Sequence, residues 1–149
     1  MFRAHIVEER SSRELRRSVL RPNLPADAPL PGDELTDAVH LGVVADGGVV
    51  GTCFVYPDPC PWRPAHSPWR LRQMATDPGW RGRGVGGAVL IAARAVAVER
   101  GADLLWCYAR ATAESFYAAH GWSPVGDIFP DERQIPHRPM ELPLTADAS

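Results

Sequence analysis

The alternation of apolar and polar positions predicts most of the secondary structure of this chain before any chemistry is considered. Phe2 to Val7 is a short alternating stretch that predicts a first strand. Ser11 or Ser12 is placed to cap a helix running to Leu20, with Glu14 in its first turn and Leu15, Val19 and Leu20 toward the core. Prolines at 22, 25, 29 and 31 then make helix improbable over a long loop. Ala38 to Ala45 and Val49 to Tyr56 are apolar, β-branched runs separated by Asp46-Gly47-Gly48. That is a hairpin signal, because glycine supplies the positive φ that a tight turn requires.

Pro57 to Trp69 follows as a Pro/Trp-rich loop whose rings either roof a pocket or anchor the loop to the core, the second being expected for buried Trp. Leu71 to Thr76 reads as a strand, Val85 to Arg100 as a helix closed by Gly101, and Asp103 to Ala109 as a buried strand. Arg110 to His120 predicts a short helix stopped by Gly121, Ser123 to Phe129 and Pro139 to Leu144 the closing strands, and Thr145 to Ser149 a fraying end. The order β-α-β-β-β-α-β-α-β-β implies an α+β fold, a mixed α/β layer with a mainly antiparallel sheet, formed as one domain over residues 1–149.

Between the central strand and the longest helix lies Arg81-Gly82-Arg83-Gly84-Val85-Gly86-Gly87. Its glycines leave backbone N–H groups uncovered, and the helix start adds unpaired amides and the positive end of a dipole. With Arg81 and Arg83 this makes an anion site suited to a pyrophosphate. The glycines literally satisfy G-x-G-x-x-G, and Asp103 stands near the distance of a ribose-binding acid. A dinucleotide fold, however, needs a strand running straight into the glycines, and here Asp77 to Arg81 intervenes.

The motif Arg81-x-x-Gly84-x-Gly86, after a strand ending Met74-Ala75-Thr76, resembles the acyl-CoA-binding motif of the GCN5-related N-acetyltransferases. Ala113-x-x-Phe116-Tyr117-x-x-x-Gly121-Trp122 is similar to a second signature of that superfamily, and Ile135-Pro136-His137-x-x-Met140 to the final strand region of one of its bacterial branches. The resemblance spans residues 70 to 142. It implies central strands that splay apart, with acetyl-CoA as cosubstrate in the wedge and a primary amine of a small molecule or peptide as acceptor.

On the same resemblance, Arg81, Gly82, Arg83, Gly84, Val85, Gly86 and Gly87 hold the pyrophosphate. Met74, Ala75 and Thr76 pair with the pantetheine arm, and the N–H of Met74 or Ala75 polarises the thioester carbonyl. Phe116 belongs to the motif that lies on the cofactor, and Tyr117 acts as general acid on the departing thiolate. The competing reading of Tyr117 is a core aromatic, a place that Phe116 is expected to fill. Relatives commonly carry an asparagine where this chain has Cys107-Tyr108-Ala109-Arg110, so Tyr108 or Arg110 takes over that cofactor contact or the contact is missing. The base is drawn from His137, Glu132, Asp131, Glu114 and His66, with His137 first because its ordinary pKa is near neutral. His5, His40 and His120 read as structural or exposed. A non-catalytic acyl-CoA sensor of the same fold is the alternative function.

Composition narrows the rest. Over 149 residues the formal net charge is −2, which gives no global attraction to nucleic acid. Cysteines at 53, 60 and 107 show neither a C-x-x-C pair nor zinc spacing, so no metal is expected. With no leader pattern and no apolar run of about 18 residues, the expectation is a cytoplasmic protein without a membrane partner; a homodimer is left open.

Overall fold

The computed structural model describes residues 1–144; the expected fraying of Thr145 to Ser149 lies outside the described residues. The elements in chain order are β1 (His5–Ile6), α1 (Glu9–Leu20), β2 (Val39–Ala45), β3 (Gly48–Pro57), β4 (Pro68–Thr76), α2 (Val85–Glu99), β5 (Leu104–Arg110), α3 (Glu114–Ala118), β6 (Ser123–Pro124), β7 (Phe129–Pro130) and β8 (Pro136–Pro143). Short 3-10 turns at Pro78–Trp80 and Ala111–Ala113 precede α2 and α3. The class is the expected one, a mixed α/β fold with a mainly antiparallel sheet: β1–β2, β2–β3, β5–β8, β6–β8 and β7–β8 pair antiparallel and β4–β5 parallel. Contacts group the residues into two compact units, one of Met1–Tyr56 with Leu71–Val96, the other of Pro57–Arg70 with the chain from Ala97 onward. Neither is continuous in sequence, so no single cut separates them.

In the first unit the strands run β1-β2-β3-β4. The β2–β3 hairpin turns through Asp46 at φ 52° and Gly47 at φ 81°, so one of the two left-handed positions is an aspartate, a residue that tolerates this region. Residues 50–56 of β3 are buried throughout, as expected of a strand covered on both faces. Helix α2 sits on this strand. A Cβ on Gly51 would stand 2.3 Å from Val85 Cγ1, so the glycine is what admits the first residue of α2. Val85 and Val89, together with Ala93, are fully buried.

Helix α1 starts earlier than the serines suggested. Glu8 is its first flanking residue, without a side-chain cap, and Ser12 is buried, its hydroxyl donating to the Glu9 carbonyl at 3.2 Å. Leu15 is buried as expected, but Val19 and Leu20 are only half-buried, and the other buried residue on this face is Arg16.

The second unit holds the first residues of β4, then β5, β8 and β6 in that order, with β7 on β8. The parallel ladder between β4 and β5 covers Pro68–Arg70 against Leu104–Trp106, three residues beyond the predicted start of β4. Ser123 to Phe129 is not one strand. It forms the separate pairs of β6 and β7 on β8, with Gly126 at φ 78° between them. Both predicted helix stops hold. Gly101 donates to Val98 and Ala102 to Ala97, and Gly121 donates to Ala118 and Trp122 to Tyr117, the paired bonds of a Schellman ending.

The Pro/Trp loop is anchored, the reading expected of its rings. Trp62 Nε1 donates to Glu141 Oε1 at 2.8 Å and Arg63 to Glu141 Oε2 at 2.7 Å. Both Asp103 oxygens accept from the loop, at 2.9 Å from His66 N–H and 3.0 Å from Ser67 N–H. Asp103 is therefore committed to a structural role.

Candidate active site

In the first unit, β4 leads to the glycine loop through a rigid corner. Asp77 donates its N–H to the Val50 carbonyl at 2.8 Å, and its carboxylate accepts from Gly79 N–H at 2.9 Å. Pro78 opens the 3-10 turn, where its missing N–H costs nothing. Trp80 ends that turn, edge-on to Phe2 at 5.7 Å, and carries the Arg83 guanidinium over its face at 4.9 Å. Arg81 is exposed.

Gly82 and Gly84 have φ 77° and 88°, and no atom lies within 4 Å of where a Cβ on either would stand. Ala88 N–H donates to the Gly84 carbonyl at 3.1 Å, which makes Gly84 the residue flanking the helix. The N–H groups of Val85, Gly86 and Gly87 then have no intrahelical partner. An open, cationic loop whose first helix amides lack intrahelical partners is suited to an anion. Met74 and Thr76 are half-buried beside it in sequence, and Ala75 is buried.

The first unit also contains a polar cluster that the motifs did not announce. Arg16 is 1% exposed. It donates to Ser12 Oγ at 3.1 Å, to Gln73 Oε1 at 2.9 Å and to the Glu9 carboxylate. Gln73 has φ 57°. Its available signal in the sequence is position, a polar residue between the buried Leu71 and Ala75 of one strand. His40, expected to be structural or exposed, is 9% exposed beside Phe54, and its Nδ1 has no hydrogen-bond partner among the described residues.

The second unit carries the other site candidates in two groups, Phe116 with Tyr117 on α3, and Tyr108, Arg110 and His137 along β5 and β8. The Schellman ending at Gly121 folds Trp122 back on α3, so that its ring meets Tyr117 at 5.3 Å and 71°. Phe116 also meets Tyr117, edge-on at 5.4 Å. The expected division of labour between these two is reversed. Tyr117 is the buried ring, at 4% exposure, and Phe116 is half-buried.

Tyr108 stands in a ladder of edge-to-face rings. Trp62 meets Trp106 at 5.4 Å, Trp106 meets Tyr108 at 5.5 Å, and Tyr108 meets Phe129 at 5.2 Å. The Arg70 guanidinium lies 4.8 Å from the Trp106 ring and 5.2 Å from that of Tyr108. Phe129 continues to His137 at 6.0 Å.

His137 is also the register partner of Arg110, whose guanidinium burial pushes below its ordinary pKa, aided by Arg133. His137 Nδ1 is 2.8 Å from the Ile135 carbonyl and 4.0 Å from Asp131 Oδ2. A carbonyl only accepts, so Nδ1 carries the proton and Nε2 is the basic nitrogen. Of the other candidate bases, Asp131 and Glu114 are engaged by the protein itself, and Glu132 and His66 are exposed. Asp131 accepts from the N–H groups of Arg133 and Ile135, and Glu114 accepts from Arg138 at 2.9 Å. Among the described residues no group of three or more His, Cys, Asp or Glu is placed to hold a metal ion, and no helix is long and apolar enough to cross a membrane.

Comparison with known proteins bears on the family and the fold. Residues 37–124 match the model of the acetyltransferase (GNAT) domain. The uncharacterized N-acetyltransferase YitI of Bacillus subtilis strain 168 is 29% identical over 130 residues, covering 87% of each chain. Among solved structures, Escherichia coli ElaA superposes with a TM-score of 0.74 at 17% identity, covering 95% of this chain and 99% of its own. An aminoglycoside 6'-N-acetyltransferase complexed with coenzyme A gives 0.72 at 13% identity, covering 98% and 99%. The structural likenesses establish the fold, and the family match, which takes in β2 through β6 and the whole glycine loop, establishes that the chain belongs to the GNAT acetyltransferase family.

Proposed function

We propose that the protein is an acetyl-CoA-dependent N-acetyltransferase that moves an acetyl group directly to a primary amine of a small molecule or peptide in a ternary complex. The observation that carries this reading is the loop at Gly82 and Gly84, open where side chains would stand and running into the unpaired amides of α2. Bound acetyl-CoA supplies an activated acyl thioester. Arg81 and Arg83 with the amides of 82–87 neutralise and orient the diphosphate, and the main chain of Met74 to Thr76 aligns the pantetheine arm as an added strand would. The N–H of Met74 or Ala75 donates to the acyl carbonyl. His137 Nε2 takes the proton of the incoming amine, and the Tyr117 hydroxyl returns one to the departing sulfur. Tyr108 or Arg110 takes the cofactor contact that an asparagine makes in related sequences. The chain works in a reducing cytoplasm, consistent with three free cysteines.

Thiol release from acetyl-CoA across a panel of amines, amino acids and peptides tests the reading. Amine-dependent release is the expected result. Tight acetyl-CoA binding with no release on any acceptor would transfer support to the sensor alternative.

A further inference from the structure

Strand β4 turns at Gln73. With φ 57°, this residue lies in the left-handed region, where a glutamine persists only if its surroundings hold it there. Consecutive strand residues ordinarily project to opposite faces. Here Arg72 reaches the Tyr56 hydroxyl at 3.4 Å and lies 5.8 Å over the Phe54 ring. Gln73 donates through Nε2 to the Pro31 carbonyl, and a Cβ on the adjoining Gly32 would stand 2.8 Å from that same Phe54 ring. The two neighbours therefore serve one side of the strand.

The other end of the Gln73 amide accepts from Arg16 at 2.9 Å. Arg16 is itself fixed by Ser12 and by the carbonyl and carboxylate of Glu9. The glutamine is thus gripped at its oxygen by α1 and at its nitrogen by the proline-rich loop. The next peptide carries the Met74 N–H, one of the two donors assigned to the acyl carbonyl.

We propose that Arg16 and Gln73 are positioning residues, a clamp from α1 and the Pro31 loop that fixes the kink in β4 and so aims the Met74 N–H at the acyl carbonyl. This rests on the acetyltransferase reading. The physical reason is that a hydrogen bond weakens steeply with angle, and a donor lowers the barrier only if it is already oriented. The diphosphate is held elsewhere, at the glycine loop, so the clamp acts on turnover and not on cofactor affinity.

Three variants test it: Gln73→Ala, Gln73→Gly and Arg16→Met. In thermal melts without ligand, the glycine variant at 73 should melt above the alanine variant, the reverse of their usual order in a strand, because glycine alone accepts the left-handed torsion freely. Gln73→Ala and Arg16→Met should lower kcat about tenfold or more, with the acetyl-CoA Kd from calorimetry within about twofold of wild type. Equal or inverted melting order, or an unchanged kcat in Gln73→Ala, would overturn the clamp. If Arg16→Met does not fold, the pair at position 73 decides alone. A wild-type protein that neither binds nor turns over acetyl-CoA sinks the acetyltransferase reading, and with it the acyl target of the Met74 N–H. The melting order still judges the kink.

Discussion

On the acetyltransferase reading, the two units would offer a ligand different parts of the chain. In the first unit it is main chain: Gly82 and Gly84 with open space at their Cα atoms, the bare amides of Val85 to Gly87, and the peptide after the kink at Gln73. In the second it is side chains: Tyr117 packed against Phe116 and Trp122, and His137 with one nitrogen committed to the Ile135 carbonyl. A main-chain donor has no side chain to delete, so it fails only when its torsion or its approach is blocked. A side-chain donor fails when one atom is removed, and binding survives. The two units should therefore respond to mutation in opposite ways.

The largest expected effect is on the side-chain half. Tyr117→Phe removes one hydroxyl and should cut kcat by about 100-fold or more while the acetyl-CoA Kd stays put. Turnover at the wild-type rate would remove Tyr117 from the mechanism and leave the second unit without a known acid.

The mirror-image result is expected of Gly84→Val. Nothing crowds a side chain there, so the fold is kept, but φ 88° strains a β-branched residue and its bulk covers the amides. Acetyl-CoA should bind about 10- to 100-fold more weakly, the equivalent of the usual cost of one strained residue, with kcat at saturation near wild type. If calorimetry finds the affinity unchanged, phosphate binding by main chain is wrong.

The smallest effect concerns the packing around the first unit's cluster. Burial, then the nearby Arg16, holds the His40 imidazole below its ordinary pKa, against the opposing pull of Glu9 and Asp33. The unfolded chain takes up that proton near pH 6.5 and the folded one does not, so this part of the stability is complete above about 6.5 and is lost as pH falls below it. Arg13 holds the Asp33 carboxyl below the usual carboxylate range, so its contribution is lost only in stronger acid, below about pH 4. His40→Phe should flatten the melting temperature between about pH 6.5 and 5 and leave the acid limb intact. An unaltered slope in that window would assign it to other groups.

Much of this architecture was legible because local chemistry decides it. The hairpin at Asp46-Gly47, the start of α2 after Gly84 and both Schellman endings each depend on a glycine or aspartate that permits a left-handed torsion. Where long-range pairing decides, the sequence was misleading. β4 begins at Pro68 because its first residues pair with β5, and a proline is tolerated at the first position of a strand. Ser123 to Phe129 reads as one strand but bends at Gly126, since Val125 N–H is taken by the Pro139 carbonyl.

The same distinction runs through the site. The glycine loop is a contiguous motif and its open conformation could be read directly. The clamp on Gln73 joins residues 16, 31 and 73, and no spacing rule links a helix arginine to a strand glutamine. Tyr117 is proposed from its motif, while its burial in place of Phe116 follows from Trp122 folding back, which only the helix ending reveals.

The most direct test of the central claim is calorimetric titration of acetyl-CoA into the purified wild-type protein, with free coenzyme A as competitor. Saturable binding at one site, displaced by coenzyme A, is the predicted result. No heat, and no shift in melting temperature at saturating concentrations, would contradict the account.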